Sequence, residues 1–212
     1  MSESVSGVGV IDKGVLVIRA LERAPLDLAG VQAATGLPRA TAHRLAVALE
    51  THGWVRRDAA GRFCLGFELI RLGRLATAEL PLAELAAPAL QHLRDTTGES
   101  VQLYVPDGDG RRCVVSLEST HGLRWIVPEG ALLPLDRGSA GRVLRGDSTL
   151  AASVEEREPG VASVSAAVHD RRGALVAAVS VSGPVERLTR RPATKFGDAV
   201  TAAAADIARA LP

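Results

Sequence analysis

Apolar positions in the first third of the chain recur at helical spacing. Val17, Ala20, Leu21 and Ala24 fall at i, i+3, i+4 and i+7. Asp12 is placed to cap the helix they predict, and Pro25 to stop it. Asp27 predicts the cap of a second, short helix carrying Leu28, Val31 and Ala34, which Gly36 ends in the left-handed conformation. Pro38 fits the first turn of a third helix, with a stripe of Ala42, Leu45, Ala46 and Leu49 and an end at Gly53. The pattern then changes. Trp54 to Arg57 and Arg62 to Leu65 read as two β runs about the turn Asp58-Ala59-Ala60-Gly61. Helix, short helix, helix and β-hairpin in that order predict a winged helix-turn-helix.

Downstream, a long helix is expected over 67–79 and another from Pro81 to about Thr97, closed by Gly98. Strands then alternate with helices. Glu99 to Val105 sets Val101, Leu103 and Val105 against Gln102 and Tyr104. Cys113 to Leu117 is a second strand, across the turn Asp107-Gly108-Asp109-Gly110. A short helix lies within Pro134 to Arg145. Val161 to Val168 and Ala174 to Ser182 form a hairpin about Asp170-Arg171-Arg172-Gly173. A final helix from about Ala193 buries Phe196, Val200, Ala203, Ile207 and Leu211. The fold class is α+β, with a winged helix-turn-helix over 1–66, a linker helix over 67–80 and a second domain over 81–212.

Charge sharpens this division. The 212 residues carry 25 Lys+Arg and 24 Asp+Glu, a formal charge of +1, which excludes a basic coat over the whole chain. From Gly36 to Arg74, however, seven Arg (39, 44, 56, 57, 62, 71 and 74) face Glu50, Asp58 and Glu68, a local +4. Beyond Glu79 there are 15 basic and 16 acidic residues, a local −1. Aromatic residues are only 3 %, so stacking on single-stranded nucleic acid is poorly supplied. Cys64 and Cys113 stand alone, without the spacing of a disulfide framework or zinc site. No apolar run reaches membrane-spanning length and the start lacks a signal-peptide pattern, so the expected compartment is the cytoplasm.

At 100° per residue, the core stripe of the third helix turns Ala40, His43 and Arg44 to the far side, with Arg39 and Thr41 on the flanks of the N-terminal turn. Arg56, Arg57 and Arg62 are supplied by the wing. Any one of these Arg also reads as solvated surface. As a set, on a helix start and a wing, they read as a face for double-stranded DNA.

In the second domain, Ser163 and Ser165 share one strand face, and Ser180 and Ser182 another. Hydroxyls so placed can bond a ligand carboxylate or carbonyl, although spacing alone favours strand serines bonded to backbone or water. Ser139 begins a helix whose first amides can hold an anion. Gly138-Ser139-Ala140-Gly141-Arg142 lacks phosphate-loop spacing. The histidines are scattered, and neither HExxH nor a Gly-x-Ser-x-Gly elbow occurs, so no catalytic residue, metal ligand or cofactor is expected.

The run Gly36-Leu37-Pro38-Arg39-Ala40-Thr41-Ala42-His43-Arg44-Leu45, continuing through Leu49-Glu50-Thr51-His52-Gly53-Trp54-Val55, resembles the recognition helix of IclR-type bacterial transcription regulators. Gly61-Arg62-Phe63-Cys64-Leu65-Gly66 resembles that family's wing closure. Glu155-Glu156, Gly160-Val161 and Val179-Ser180-Val181-Ser182-Gly183-Pro184 resemble its effector-domain signature. The resemblance implies a GAF-like effector domain and a homodimer or dimer of dimers on palindromic operators. It also implies a small-molecule effector, an amino acid or carboxylate, and repression of target genes. It is nearest the actinobacterial subgroup linked to amino-acid biosynthesis, including leucine genes. The alternative is a dimerising sensor with a degenerate pocket and ligand-independent DNA binding.

Ala40 stands where the family usually has Ser, and Arg39, Thr41, His43 and Arg44 remain. Ser163, Ser180 and Ser182 match positions that line the family's effector pocket. The family's segment between Arg145 and Ala152 is normally longer, with a helix covering part of the pocket; here only Gly146 to Ala151 bridge it. Ser153 takes the place of an acidic ligand contact found in some members. The resemblance therefore implies a pocket that is open, altered or empty, with weaker, less selective binding than in a relative with the full segment.

Overall fold

The computed structural model describes residues 6–78 and 81–212. The chain divides into two compact units, Met1–Glu79 and Leu80–Pro212. Residues 1–5 of the chain's start, and the far end of the expected linker helix at 79–80, lie outside the described residues.

The first unit runs α1 (Gly9–Ala20), α2 (Leu28–Thr35), α3 (Arg39–Thr51), β1 (Val55–Arg57), β2 (Phe63–Leu65) and α4 (Glu68–Ala78). α1 begins ahead of Asp12: Val8 is its N-cap, and Asp12 lies in the first turn, where the carboxylate faces the helix's positive end and accepts from the Ser6 amide at 3.2 Å. It also ends ahead of Pro25, with Leu21 as C-cap, leaving Ala24 exposed outside the helix. The cause is Leu26, which leaves the helical path to pair with Phe63, exchanging backbone hydrogen bonds of 2.9 and 2.8 Å. Asp27 caps α2, its Oδ1 accepting from the Gly30 amide at 2.7 Å, and Gly36 follows with φ 68°. Pro38 is the N-cap of α3, one place outside the helix. Val17, Leu21, Val31, Ala42, Ala46, Val55 and Phe63 form this unit's core.

The hairpin of β1 and β2 pairs Val55 with Leu65, Arg56 with Cys64 and Arg57 with Phe63. Gly66 closes it. A Cβ there would overlap the Gly53 carbonyl, so only glycine lets the chain return beneath the end of α3 before α4 starts.

The second unit runs α5 (Pro81–Thr97), β3 (Ser100–Asp107), β4 (Gly110–Leu117), β5 (Leu132–Pro134), α6 (Ser139–Leu144), β6 (Leu150–Val154), β7 (Val161–His169), β8 (Leu175–Pro184), α7 (Val185–Leu188) and α8 (Pro192–Ala210). The short β5, β6 and α7 add to the elements read from periodicity. The strands form one antiparallel sheet in the order β5-β4-β3-β8-β7-β6.

Both sheet faces are covered. On one, Leu90 and Leu93 of α5 and Val200 and Ile207 of α8 pack on Val101, Leu103, Val164, Val179 and Val181. On the other, Ala140, Val143 and Leu144 of α6 pack with Val127 on Tyr104, Cys113 and Ala178. The Gln102–Tyr104 side of β3 is consequently buried too. The short link from α6 to β6 turns at Gly146 (φ 80°). Arg142 of α6 clamps it, donating to the Ala152 carbonyl and the Glu156 carboxylate. Among the described residues no helix is long and apolar enough to cross a membrane.

Asp58 ties the wing turn. Its Oδ1 accepts from the amides of Ala60 and Arg62 at 3.0 and 2.9 Å, and its Oδ2 from Arg62 Nε at 2.8 Å. The Arg62 amide first, and its side chain next, hold the Asp58 carboxyl below its ordinary value of 3.8. A depressed folded value means the tie contributes above that ordinary value and is lost as pH falls through the lowered one. Asp58→Ala is expected to speed amide exchange across residues 55–65 at neutral pH. Wild type should match the variant only after acidification below 3.8. Equal protection of the two proteins at neutral pH would remove Asp58 as the tie.

Candidate DNA-binding face and effector cavity

On α3, Ala42 and Ala46 point fully into the core, with Leu45 and Leu49 packed beside them. Ala40, His43, Arg44 and Val47 form the opposite, exposed face; Arg39 is exposed and Thr41 half-buried at its start. Arg44 Nε reaches back to the Ala40 carbonyl at 3.3 Å, and Arg39 leans toward Gln32 Oε1 at 3.5 Å, a weak contact. Ala40 contributes only a methyl group.

The wing arginines divide in two. Arg57 bonds the Glu50 carboxylate at 3.2 and 3.3 Å while its guanidinium lies 4.3 Å from the Phe63 ring centroid, which fastens the wing to α3. Arg62 pairs with Asp58 at 2.7 Å. Arg56 projects from the other side of β1, 4.9 Å from the exposed Phe67 ring. Arg71 pairs with Glu68. The three acids of the segment from Gly36 to Arg74 are thus each taken by one arginine. Among the described residues, Arg39, Arg44, Arg56 and Arg74 have no carboxylate within ion-pair distance.

In the second unit, β7 and β8 pair Ser163 with Ser182 and Ser165 with Ser180. These serines sit on central strands, and they bond to one another. Ser139 Oγ lies 2.7 Å from both Ser163 Oγ and Ser165 Oγ, and Ser165 Oγ lies 2.9 Å from Ser180 Oγ. Ser182 Oγ donates to Gln102 Oε1 at 2.8 Å. The Gly138 amide ahead of α6 is given to Glu156 Oε2 at 3.2 Å. Ser139, Ser163, Ser180 and Ser182 line one cavity, with Ser153 in the same wall.

Sequence reasoning missed four larger side chains there: Tyr104, Arg111, Trp125 and Arg157. Arg111 is only 1 % exposed. Its guanidinium passes beneath α6 and donates to the carbonyls of Pro134 and, at 2.9 Å, Arg137. Glycines make that passage possible. A Cβ at Gly141 would overlap the Leu135 carbonyl and press on Arg111, and a Cβ at Gly138 would meet both Arg111 and Arg157. Burial pulls the Arg111 guanidinium down to about 10, the Tyr104 oxygen opposing and Arg157 adding to the fall, so it stays charged at neutral pH. Burial likewise raises the Tyr104 hydroxyl and pushes the Cys113 thiol up to about 12, leaving both protonated. The cavity is about 20 Å³, room for one or two waters. The signal for Arg111 lay in β-strand alternation, which sets it on the same face as Cys113 and turns Arg112 outward to Asp107.

Comparison with known proteins agrees with both halves. The family description "IclR helix-turn-helix domain" matches residues 10–59. "Bacterial transcriptional regulator IclR C-terminal" matches residues 75–148 and 145–209, two stretches that meet where the link after α6 is short. The glycerol operon regulatory protein of Streptomyces coelicolor is 33 % identical over 226 residues, covering 88 % of this chain and 87 % of that one. The transcriptional repressor IclR of Escherichia coli is 25 % identical over 213 residues, covering 81 % and 78 %. The fold matches an IclR homologue from Microbacterium hydrocarbonoxydans, solved in complex with 4-hydroxybenzoate, with a TM-score of 0.79 at 16 % identity over 95 % of this chain and 98 % of that one. The chain therefore belongs to the IclR family of bacterial transcription regulators, which read DNA through a helix-turn-helix and are not enzymes.

Proposed function

We propose that this regulator is a cytoplasmic repressor that binds palindromic operators as a homodimer or dimer of dimers and answers to a small metabolite held in its GAF-like second domain. The observation that carries the DNA reading is the exposed face of α3, beside which Arg39, Arg44 and Arg56 have no acid within ion-pair distance among the described residues. In this reading Ala40, Thr41 and His43 approach base edges, while Arg39, Arg44 and Arg56 meet phosphates or guanine. Arg57 and Arg62, each paired with an acid, hold the wing in place.

The dimer reading rests on α1. Val10, Ile11 and Val15 are exposed there and line an apolar groove with Leu45, Leu49 and Trp54. Such a patch on the helix next to the recognition helix suits a second copy, whose two-fold axis would match the operator's. The effector reading rests on the serine-lined cavity of Ser139, Ser163, Ser180 and Ser182, with an amino acid or carboxylate as ligand. Occupancy would alter operator affinity along the chain through α4, by a coupling energy of about 1–3 kcal/mol. The resemblance favours amino-acid genes, including leucine genes, as targets. The 33 % identity to a glycerol operon regulator favours a second reading, control of polyol use.

Arg44→Ala is expected to weaken operator binding and to reduce the slope of log K against log salt by about 0.9 per lost phosphate contact, close to 2 for a dimer. Unchanged affinity and slope in a gel-shift salt series would remove α3 as the reading helix. Ile11→Glu is expected to shift the protein toward monomer in sedimentation velocity and to lose operator binding with it; an unchanged dimer would move the interface elsewhere. Genome-wide mapping of bound sites is expected to place them upstream of amino-acid biosynthesis genes. Sites confined to polyol genes would decide for the second reading.

A further inference from the structure

The cavity wall carries two cations that only carbonyls, a hydroxyl and aromatic rings answer: Arg111 by Pro134, Arg137 and the Tyr104 ring, Arg157 by Tyr104 and the Trp125 ring. Arg111 is buried and Arg157 half-buried, and neither has a carboxylate within ion-pair distance among the described residues. Of the nearest acids, one is held by other groups and one, Asp136, acts on Arg111 only from beyond ion-pair distance. Glu156 is held by Arg142 and the Gly138 amide, and Asp136 lies exposed beside Arg137. The remaining lining groups are hydroxyls, the Tyr104 and Trp125 rings and small apolar side chains, with no carboxylate.

The hydrogen-bond tally points the same way. Two buried side-chain atoms among the described residues lack a partner, Arg111 Nε and Gln102 Nε2. Both are donors, so the partner they lack is an acceptor. Arg111 is in the cavity wall, and Gln102 holds Ser182, which is. A buried unpaired cation is costly to keep, and each orphaned buried donor calls for a partner. The glycines at 138 and 141 keep the passage for Arg111 open.

We infer that the cavity takes a small doubly charged oxyanion with a hydroxylated body, a phosphate monoester or a hydroxylated dicarboxylate, with Arg111 and Arg157 as the residues that select it. This rests on reading the cavity as the effector site. Two cations suit two negative charges, and the serine row suits hydroxyls. Of the two ligand classes the effector reading allows, the wall narrows the choice to the carboxylate side, because no carboxylate in it is placed to meet an amino acid's ammonium group. The present 20 Å³ space is too small for such a body. The ligand would displace Arg157, which lies 5.7 Å from the Trp125 ring on the loop after β6, and would draw that guanidinium onto its own charge.

Titration calorimetry of the full chain with glycerol phosphate, tartrate, inorganic phosphate and leucine tests this. Saturable binding of glycerol phosphate or tartrate is expected, tighter than inorganic phosphate, with no heat from leucine. Whichever of the two binds more tightly separates the phosphate ester from the dicarboxylate. Arg157→Gln, at a half-exposed position, is expected to weaken that binding by about tenfold and to flatten its salt dependence. Ser180→Val is expected to weaken it as well. Arg111→Gln should do the same where it folds, and Arg111→Lys should partly rescue it. Preference for leucine, absence of heat from both dianions, or dianion binding indifferent to Arg157→Gln would overturn the inference. If a ligand of another class binds and Ser180→Val abolishes that binding, the effector cavity survives and only its ligand class falls. Binding indifferent to Ser180→Val, Arg157→Gln and Arg111→Lys alike would take down both.

Discussion

The second unit depends on the register between β3 and β8. Ser100 pairs with Ser182, Gln102 with Ser180 and Leu103 with Val179, across nearly the whole length of the unit. Because side chains alternate along a strand, this register sorts two chemistries onto two faces. Val101, Leu103, Val179 and Val181 go to α5 and α8, whereas Gln102, Ser180 and Ser182 go to the cavity. A one-residue slip of β8 against β3 would turn Ser180 and Ser182 into the helical core and Val179 and Val181 to the other face. The large apolar core on one face therefore fixes the polar arrangement on the other. The serine row needs no separate device to hold it.

Polar groups set within a packed sheet must then satisfy one another. The serines do so through Ser139, which α6 lowers onto Ser163 and Ser165. The same helix provides the roof over Arg111, and its glycines admit that side chain. Glu99 shows the contrasting solution. It is as buried as Arg111, but Arg187 meets it with two hydrogen bonds of 2.6 and 2.8 Å, so the charge is answered within the chain. One unit thus holds two buried charges under the same physical demand. Only the one beside the cavity is left with carbonyl partners.

The first unit was legible because its signals are local. Asp27, Gly36 and Gly53 act within a few residues of where they stand, and the stripe Ala42, Leu45, Ala46 and Leu49 needs nothing distant to be recognised. The stop of α1 differs from the one its stripe predicts because Leu26 answers to Phe63, a partner remote in sequence. In the second unit, β5 and β6 are too short to show a period and exist because β4 and β7 offer them edges. Ser163, Ser165, Ser180 and Ser182 could be seen to share faces. Alternation puts Arg111 on the face of Cys113, but next to Arg112 at a Gly-Asp-Gly turn it reads as surface charge. Its burial is a tertiary fact, visible once α6 and its glycines are in place.

Charge arithmetic in the first unit gains meaning in the same way. A tally of +4 over residues 36–74 says nothing about where the charge resides. The structure distributes it by pairing: Glu50 takes Arg57, Asp58 takes Arg62 and Glu68 takes Arg71. Each pair is local and serves geometry, fixing the wing to α3, the wing turn to itself and the first turn of α4. Surface pairs of this kind add little stability. Their larger effect is subtraction, since they remove three positive charges from places where backbone position matters. The remainder falls on Arg39, Arg44, Arg56 and Arg74, and the first two flank the face of α3 that carries Ala40 and His43. Among the described residues the exposed face of α3 thus has arginines without an acid partner, whereas Arg57, Arg62 and Arg71 are neutralised where they stand. An orienting field requires that asymmetry, which net charge alone would not supply.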